Sequence, residues 1–443
     1  MDKSYIPPLD YREVDYFELL LPKEINIAVG RTIELYNKQI CHTGNINNYH
    51  FKYTCSIGKT MKRKWSYTAT ADKVGTYTMT VTVYNSNLQV VKTGTITIKV
   101  VNKTTDISTA KNVLCIGDSL TNDKAWLNEW KSLADAMFGT GKMQFIGTRG
   151  TAPYKLEGRS GWSARTYATN YMEQIILNVT GVTVMPTSKK VYSLPDSYGG
   201  HNWAVETTNI TNGSGTITFN RLDSTDYVVS SSGTITAVDG AGSGDSSITY
   251  SSWTPASNNP LWNQSTNQLD FNNYLTVNGF TKPDIVQIFL GANDVPYWTG
   301  DFTSVTASMQ TRFGWLKTIV DTILSQWSGT KVYVVLTPFY ADQNGLGANY
   351  GNQYIDNQLH MNVFTWCYNL IQQYKDYNSN VSIVPVAQTM DSDYDYIPAS
   401  QSVNPRSSLT ETVQTGGVHP SNEGYYQMAD TMFSHFVGHY LDA

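Results

Sequence analysis

The sequence predicts an α/β domain, built as three α/β/α layers around a mostly parallel sheet, with an N-terminal β-sandwich and a β-rich insertion. Short apolar runs typical of buried parallel strands alternate with helical patterns, which predicts the α/β domain. Threonines that alternate with apolar residues nearer the N-terminus predict the sandwich. We divide the chain into an arm (1–21), a sandwich (22–102), a linker (103–110) and the α/β domain (111–443).

The sandwich prediction rests on a period of two. Tyr77, Met79, Val81 and Val83 alternate with threonines, and after the turn at 85–87 the alternation continues through Val100. The signature Asp72-Lys-Val-Gly-Thr-Tyr77 resembles the immunoglobulin-like modules that precede many bacterial surface enzymes. This resemblance implies a spacer or assembly domain without chemistry of its own.

The α/β domain is predicted from four apolar runs, at 113–116, 285–290, 332–336 and 383–386. Between them, residues from Met309 to Trp327 recur every three or four positions on one helical face, and Ser421 is a candidate N-cap for a last helix. The segment 182–257 is rich in Gly, Ser and Thr and is interpreted as the β-rich insertion.

Composition excludes several classes. The formal net charge is −5 and the basic residues form no long run, so nucleic acid is not an expected partner. No apolar stretch is long enough to span a membrane. The four cysteines lack metal-ligand spacing, which leaves buried thiols or a Cys41–Cys55 pair, and no metal or cofactor is expected. The low charged fraction of 15% is typical of extracellular and carbohydrate-handling proteins.

Polar residues follow the predicted strands. The first strand ends in Gly117-Asp118-Ser119, a later one in Gly291-Ala-Asn293-Asp294, and Val418-His419-Pro420 precedes the last helix. Ligands of open parallel sheets bind beyond the carboxyl ends of the strands. A serine nucleophile, an amide donor and an imidazole base form a coherent set for acyl transfer.

These motifs resemble the conserved blocks of the GDSL/SGNH hydrolases, whose second block is matched by Gly161 within Gly158-Arg-Ser-Gly-Trp162. The resemblance covers roughly residues 111–443 and implies a serine esterase. It implies that Ser119 is the nucleophile and His419 its base, and that the oxyanion is bound by the backbone N–H groups of Ser119 and Gly161 and by the Asn293 amide. Asp118 and Asp294 are expected to support these loops.

One position departs from the family pattern. The family's third catalytic member is an Asp three residues before the His, and here that residue is Gly416. Either a Ser–His dyad operates, which we favour, or another acid substitutes. The candidates near in sequence are Glu411, Asp391, Asp393 and Asp395.

The second block and Asn259-Pro-Leu-Trp-Asn263 resemble the carbohydrate acetylesterase branch, which implies removal of small acyl groups, above all acetyl, from a polysaccharide. Candidate sugar-contacting residues are Arg159, Trp162, Trp262 and His201. The alternatives are a non-catalytic carbohydrate-binding protein on a hydrolase scaffold, or a general lipase or arylesterase, although no apolar lid segment is evident.

The first thirty residues do not have the pattern of a signal peptide. A bacteriophage tail or receptor-binding protein would reconcile this with a surface-protein composition, and a gut-bacterial polysaccharide esterase is the other reading. The expected location is therefore a virion or the extracellular surface, with a cytoplasmic location left open. The N-terminal region is expected to provide virion attachment or a homo-oligomer contact.

Overall fold

The computed structural model describes residues 17–43, 45–103, 107–197, 199–222, 229–238, 247–295, 298–342, 344–345 and 356–440. The chain divides into two compact units. One comprises Met1–Gly158, Pro283–Thr311 and Gly329–Ala443, and the other Arg159–Lys282 and Arg312–Ser328. Most of the predicted arm (1–16) and residues 104–106 of the predicted linker lie outside the described residues.

The N-terminal β domain contains short 3₁₀ turns and seven strands: β1 (Glu24–Ala28), β2 (Thr32–Tyr36), β3 (Tyr49–Thr54), β4 (Lys59–Thr60), β5 (Lys64–Thr68), β6 (Gly75–Asn85) and β7 (Val90–Val101). One sheet has the order β1-β7-β6-β3 and the other β2-β5-β4. The inward residues of both sheets, such as Ile27, Leu35, Trp65 and Val81, form one hydrophobic core. Burial of this apolar surface holds the two sheets together. Classification of the domain as immunoglobulin-like stays a prediction.

The following segment contains β8 (Lys111–Gly117), α1 (Ser119–Asn122), α2 (Ala125–Phe138), β9 (Met143–Ile146) and β10 (Glu157–Gly158). The second unit contains α3 (Ala164–Ala168), β11 (Met172–Thr180), β12 (Val191–Leu194), β13 (His201–Thr211), β14 (Ser214–Arg221), β15 (Gly233–Ala237), β16 (Ile248–Asn258), β17 (Trp262–Asn263), β18 (Gln268–Leu269) and α4 (Phe271–Asn278). The chain continues with β19 (Ile285–Phe289), α5 (Phe302–Gln326), β20 (Lys331–Val335), α6 (Asp356–Tyr374), β21 (Val381–Val384), α7 (Val386–Thr389), β22 (Pro398–Ser402), β23 (Thr410–Gln414) and α8 (Asn422–Tyr440).

The parallel sheet is confirmed, and its four predicted strands are β8, β19, β20 and β21. The sheet has six strands, with β8, β19, β20 and β21 side by side. Two short strands share the free edge of β8: β9 pairs with its first half and β10 with its last two residues. All of these pairings are parallel. The chain order therefore reverses between β8 and β19, where doubly wound sheets bind their ligands.

The first unit also joins the N-terminal β domain to the helices of the α/β part. The Ala28 N–H donates to Ser434 Oγ of α8 at 3.0 Å. A Cβ at Gly438, also on α8, would collide with the Asn26 side chain, so a glycine allows β1 and α8 to pack closely.

The β-rich insertion is a closed barrel in the second unit, with strand order β11-β14-β13-β12-β15-β16. Residues such as Ile175, Trp203, Phe219 and Tyr250 fill its interior. The barrel begins at Met172 rather than at 182, because Met172–Thr180 already alternates buried apolar residues with polar ones. Among the helices that the structure describes, none is long and apolar enough to cross a membrane.

Candidate active site

The predicted nucleophile begins a helix at the carboxyl end of β8. The strand ends at Gly117, and α1 starts at Ser119. A Cβ at Gly117 would lie 2.7 Å from the Phe289 carbonyl oxygen and would also collide with the Thr121 side chain. Only glycine allows the chain to turn this tightly against the neighbouring strand β19. The turn places Ser119 at the edge of the sheet where β8 and β19 end side by side.

Asp118 joins this turn to the next one. Its Oδ1 accepts the Leu120 N–H at 3.0 Å, which caps α1, and the carboxylate also accepts the Ala292 N–H. The side chain is buried, and burial, reinforced by Asp294, raises the pKa of Asp118 to about 8. Asp118 thus connects the two predicted site loops through hydrogen bonds.

The Gly291–Asp294 turn carries the predicted amide donor. Gly291 has a φ of +137°, and a Cβ there would lie 2.5 Å from the Trp366 indole nitrogen, so this position requires glycine. The Asp294 N–H closes the turn onto the Gly291 carbonyl at 2.9 Å, and Asp294 is fully buried. The Asn293 side chain is partly exposed between these anchored neighbours.

His419 lies between β23 and α8. We call residues 414–421, from the last residue of β23 to the residue before α8, the His loop. Pro420 forms an isolated β-bridge with Tyr396, and the Ser421 N–H donates to the Asp395 carbonyl at 2.8 Å. Before His419 in the chain, the Gly417 carbonyl accepts the Ala341 N–H at 3.1 Å. These backbone bonds fix the chain on both sides of His419, whose side chain is 39% exposed.

The structure adds one residue that the sequence analysis missed. Asp123 Oδ2 lies 3.9 Å from His419 Nε2 and accepts the Tyr425 hydroxyl at 2.6 Å. Asp123 follows α1, and its N–H donates to the Ser119 carbonyl at 2.9 Å. Residues four apart on a helix share a face, so Asp123 and the predicted nucleophile Ser119 lie on the same side of α1. That spacing was the one signal in the sequence that could have indicated Asp123. Within the described residues, no hydrogen bond joins the Ser119 hydroxyl to the imidazole.

The four acids considered as a third member lie elsewhere. Asp391 and Asp393 form ion pairs with Arg63, at 2.8 and 3.2 Å. Glu411 is exposed on β23, where it accepts a bond from Gln401. Burial and neighbouring acids raise the pKa of Asp395 to about 6. In the described part of the chain, Asp123 is the one carboxylate within ion-pair distance of His419.

The vacant acid position also resists a side chain. A Cβ at Gly416 would lie 2.8 Å from the His419 carbonyl oxygen, closer than real Cβ contacts. An aspartate could enter only if the His loop shifted. The path of the loop therefore accounts for the glycine at this position.

The second sequence block belongs to the other compact unit from Arg159 onwards, whereas its first residue, Gly158, ends a segment of the first unit. Gly161 has a φ of +80°, a conformation suited to glycine. Glu173 accepts the Trp162 indole N–H at 3.0 Å and pairs with Arg159 at 3.2 Å. Arg159 and Trp162 are both buried. These contacts brace the block and leave the two side chains little surface for a sugar.

The other two candidate sugar contacts belong to the same unit. Trp262 is partly buried on β17. His201 Nδ1 lies 2.6 Å from Asp196, whose side chain is fully buried. Their predicted role in sugar binding stays a prediction.

The described residues bear on the expectations for metal ligands and for the cysteines. Across the described ranges, no three His, Cys, Asp or Glu side chains are grouped so as to hold a metal. The four cysteines are free, so Cys41 and Cys55 do not form a disulfide.

Comparison with known proteins returned structures but no sequence relatives. No family model and no curated protein match the chain. A structure described as a peptidoglycan O-acetylesterase is 12% identical, with a TM-score of 0.32, covering 74% of this chain and 91% of its own. A possible lipase from Chitinophaga pinensis is also 12% identical, with a TM-score of 0.36, and the match covers 75% of this chain and 99% of that structure's chain. A carbohydrate acetylesterase family member from Sinorhizobium meliloti is 11% identical, with a TM-score of 0.33, and the match covers 75% of this chain and 100% of that structure's chain.

The chain is similar to these structures. Its own α/β part contains the parallel sheet and the sequence blocks that resemble GDSL/SGNH hydrolases.

Proposed function

We propose that the protein is a serine esterase that removes small acyl groups, above all O-acetyl, from a carbohydrate or polysaccharide. One observation carries the proposal: Ser119 and Asn293 follow the two adjacent strands between which the strand order reverses, and Asp123, four residues after Ser119, contacts His419. A nucleophile, an amide donor and a base then converge on one edge of the sheet.

The proposed chemistry is acyl transfer in two steps. The His419 imidazole removes the proton from Ser119 Oγ, which attacks the ester carbonyl, and the imidazolium then returns the proton to the departing alcohol. Water hydrolyses the acyl-enzyme by the same route. The Ser119 N–H, the Gly161 N–H and the Asn293 amide are the proposed donors to the oxyanion, and each such donor contributes roughly 3 to 4 kcal/mol in a related case.

Asp123 would stabilise the imidazolium through space. A unit charge pair at about 4 Å is worth about 1 kcal/mol in water and about 4 kcal/mol at an effective dielectric constant of 20. The side chains of His419 and Asp123 are 39% and 41% exposed, so the lower value applies. We therefore keep the dyad proposal, with Asp123 as an electrostatic aid rather than a hydrogen-bonded third member.

The carbohydrate substrate is supported by the blocks that resemble acetylesterases and by the surface composition. The barrel would bind parts of the polymer away from the reacting ester, which adds binding energy without touching the reaction. We further propose that the protein acts at a virion or cell surface and that its N-terminal region mediates attachment or self-association.

The test compares wild type with Ser119→Ala on a chromogenic acetyl ester and on an O-acetylated polysaccharide, with folding checked by circular dichroism. We expect Ser119→Ala to lose turnover of both substrates. Ser108→Ala, at an exposed serine, is the matched control and should match wild type. Retained turnover in Ser119→Ala would contradict the assignment of the nucleophile. Glycan binding by an inactive wild type would favour the non-catalytic alternative, and a preference for long-chain esters would favour a lipase.

A further inference from the structure

The N-terminal β domain holds an acidic segment of the α/β part through two cations. We call residues 391–396 the acidic turn. Arg63 Nη2 lies 2.8 Å from Asp391 Oδ1 and 3.2 Å from Asp393 Oδ2, and Lys38 Nζ lies 2.7 Å from Asp393 Oδ1. The Asp391 side chain is only 8% exposed. A carboxylate so far removed from water depends on its partner cation.

Hydrogen bonds connect the acidic turn to both ends of the His loop. At the first end, Gln414 Nε2 donates to the Ser392 carbonyl at 2.8 Å and to the Asp393 carbonyl at 2.7 Å. At the other end, the bridge between Tyr396 and Pro420 and the bond from the Ser421 N–H flank His419 directly. The path of the His loop therefore depends on the position of the acidic turn.

The acidic turn has a second support that does not involve the cations. The Asp391 N–H donates to Gln427 Oε1 of α8 at 2.8 Å, and the Tyr396 hydroxyl donates to the Phe339 carbonyl at 2.6 Å. Loss of one cation should therefore shift the turn rather than unfold it.

We propose that Arg63 and Lys38 are positioning residues for His419, so that the N-terminal β domain takes part in catalysis rather than serving as a spacer. This inference rests on the proposed function. The two cations fix the position of the acidic turn, and the acidic turn fixes the path of the His loop. The path of the His loop then determines the distance from the imidazole to Ser119. Rates of acyl transfer depend steeply on that distance, since a displacement of about 1 Å can cost about a hundredfold.

The variants test the cations without touching the catalytic groups. We expect Arg63→Met to lower kcat about tenfold with KM changed less than about twofold, because the base moves while the substrate surface stays. Arg63→Lys keeps the charge but loses the guanidinium nitrogen Nη2 that reaches both Asp391 and Asp393, so its kcat should lie between those of wild type and Arg63→Met. Lys38→Met should have a smaller effect than Arg63→Met, since Lys38 is 44% exposed and contacts one carboxylate.

The matched control is Lys23→Met. Lys23 also connects the β domain to the α/β part, because its Nζ lies 2.8 Å from Asp376 Oδ1. The two side chains are 69% and 71% exposed, and neither contacts the His loop. We expect wild-type kcat for this variant. Thermal midpoints of all four variants separate a loss of positioning from a loss of folded protein.

The decisive readout is the rate at which a fluorophosphonate probe labels Ser119, because that reaction also needs the base. Slower labelling of folded Arg63→Met, partly restored in Arg63→Lys, supports the inference. Equal labelling rates and equal kcat in wild type and Arg63→Met would overturn it. If Arg63→Met does not fold, the same comparison applies to Arg63→Lys and Lys38→Met, and wild-type values in both would overturn it. Failure of the probe to label wild type would instead contradict the proposed function itself.

Discussion

Acid should weaken the attachment of the N-terminal β domain through a partly buried histidine pair. His42 Nδ1 lies 3.0 Å from His360 Nδ1 of α6, and His360 Nε2 lies 2.8 Å from the Lys38 carbonyl. A carbonyl only accepts, so His360 carries its proton on Nε2 and its Nδ1 accepts from His42. This arrangement requires a neutral His360 ring and a proton on His42 Nδ1.

The magnitude follows from the pKa of His42, which burial lowers from 6.5 to about 4. Burial also holds the pKa of His360 well below its ordinary value. Because the folded pKa of His42 is the lower one, its contribution to stability is complete above the unfolded pKa and is lost as the pH falls towards 4. Between pH 7 and pH 4 the loss from His42 alone is about 3 kcal/mol, at 1.36 kcal/mol per pKa unit.

The measurement is the free energy of unfolding in urea for wild type and His42→Gln at pH 7 and pH 4. Asp118 and Asp395, whose pKa values are raised to about 8 and about 6, favour the folded state in acid, but they are present in both proteins and cancel in the difference. We expect the advantage of wild type over His42→Gln to shrink by about 3 kcal/mol at pH 4. His50→Gln, at an exposed histidine, should show no such change. An advantage that does not vary with pH would refute the reasoning.

Four further predictions concern the site. Asp123→Asn should lower kcat about fivefold, the equivalent of about 1 kcal/mol, and a loss near ten-thousand-fold would make Asp123 a true third member. Each amide variant of the four acids near the His loop should lower kcat by less than about a hundredfold, while His419→Ala should be nearly inactive; one amide variant as inactive as His419→Ala would identify a hidden acid. Activity should survive exhaustive chelation, and loss restored by one divalent ion would indicate a metal enzyme. Because Met172 pairs with Asn258, a short turn can replace the barrel; that variant should lose polysaccharide turnover more than acetyl-ester turnover, and equal losses would contradict the role proposed for the barrel.

The parallel sheet could be predicted because its signal is local. Each of the four predicted strands is an uninterrupted apolar run, and burial on both faces is what such runs indicate. The short strands β9 and β10 share the edge of β8, and two residues of β10 are too few for any period to be recognised. The early start of the barrel at Met172 was missed because the predicted boundary followed the Gly- and Ser-rich composition, which begins later in the chain.

The candidate site could be predicted as far as its blocks are contiguous in sequence, and the roles of its residues stay predictions. Ser119, Asn293 and His419 each stand beside a recognisable turn, whereas Asp123 was missed because nothing local marks it. Its contact with Tyr425 joins residues 302 positions apart. Only the fold brings α1 beside α8.

The same distinction explains the acids that the sequence offered for the missing third member. Asp391 and Asp393 were considered because they are near His419 in the chain, yet their carboxylates face Arg63 and Lys38, which come from another domain. Proximity in sequence shows which groups could reach the imidazole. The direction of a carboxylate is determined by its ion pair, because a partly buried charge is stabilised by a nearby cation. Asp391 and Asp393 are thus paired with cations of the N-terminal β domain rather than with the imidazole. Among the described residues, the carboxylate left within ion-pair distance of the imidazole is the half-exposed Asp123. Under the proposed function, catalysis would therefore depend on the precision of the His loop more than on a third hydrogen-bonded group.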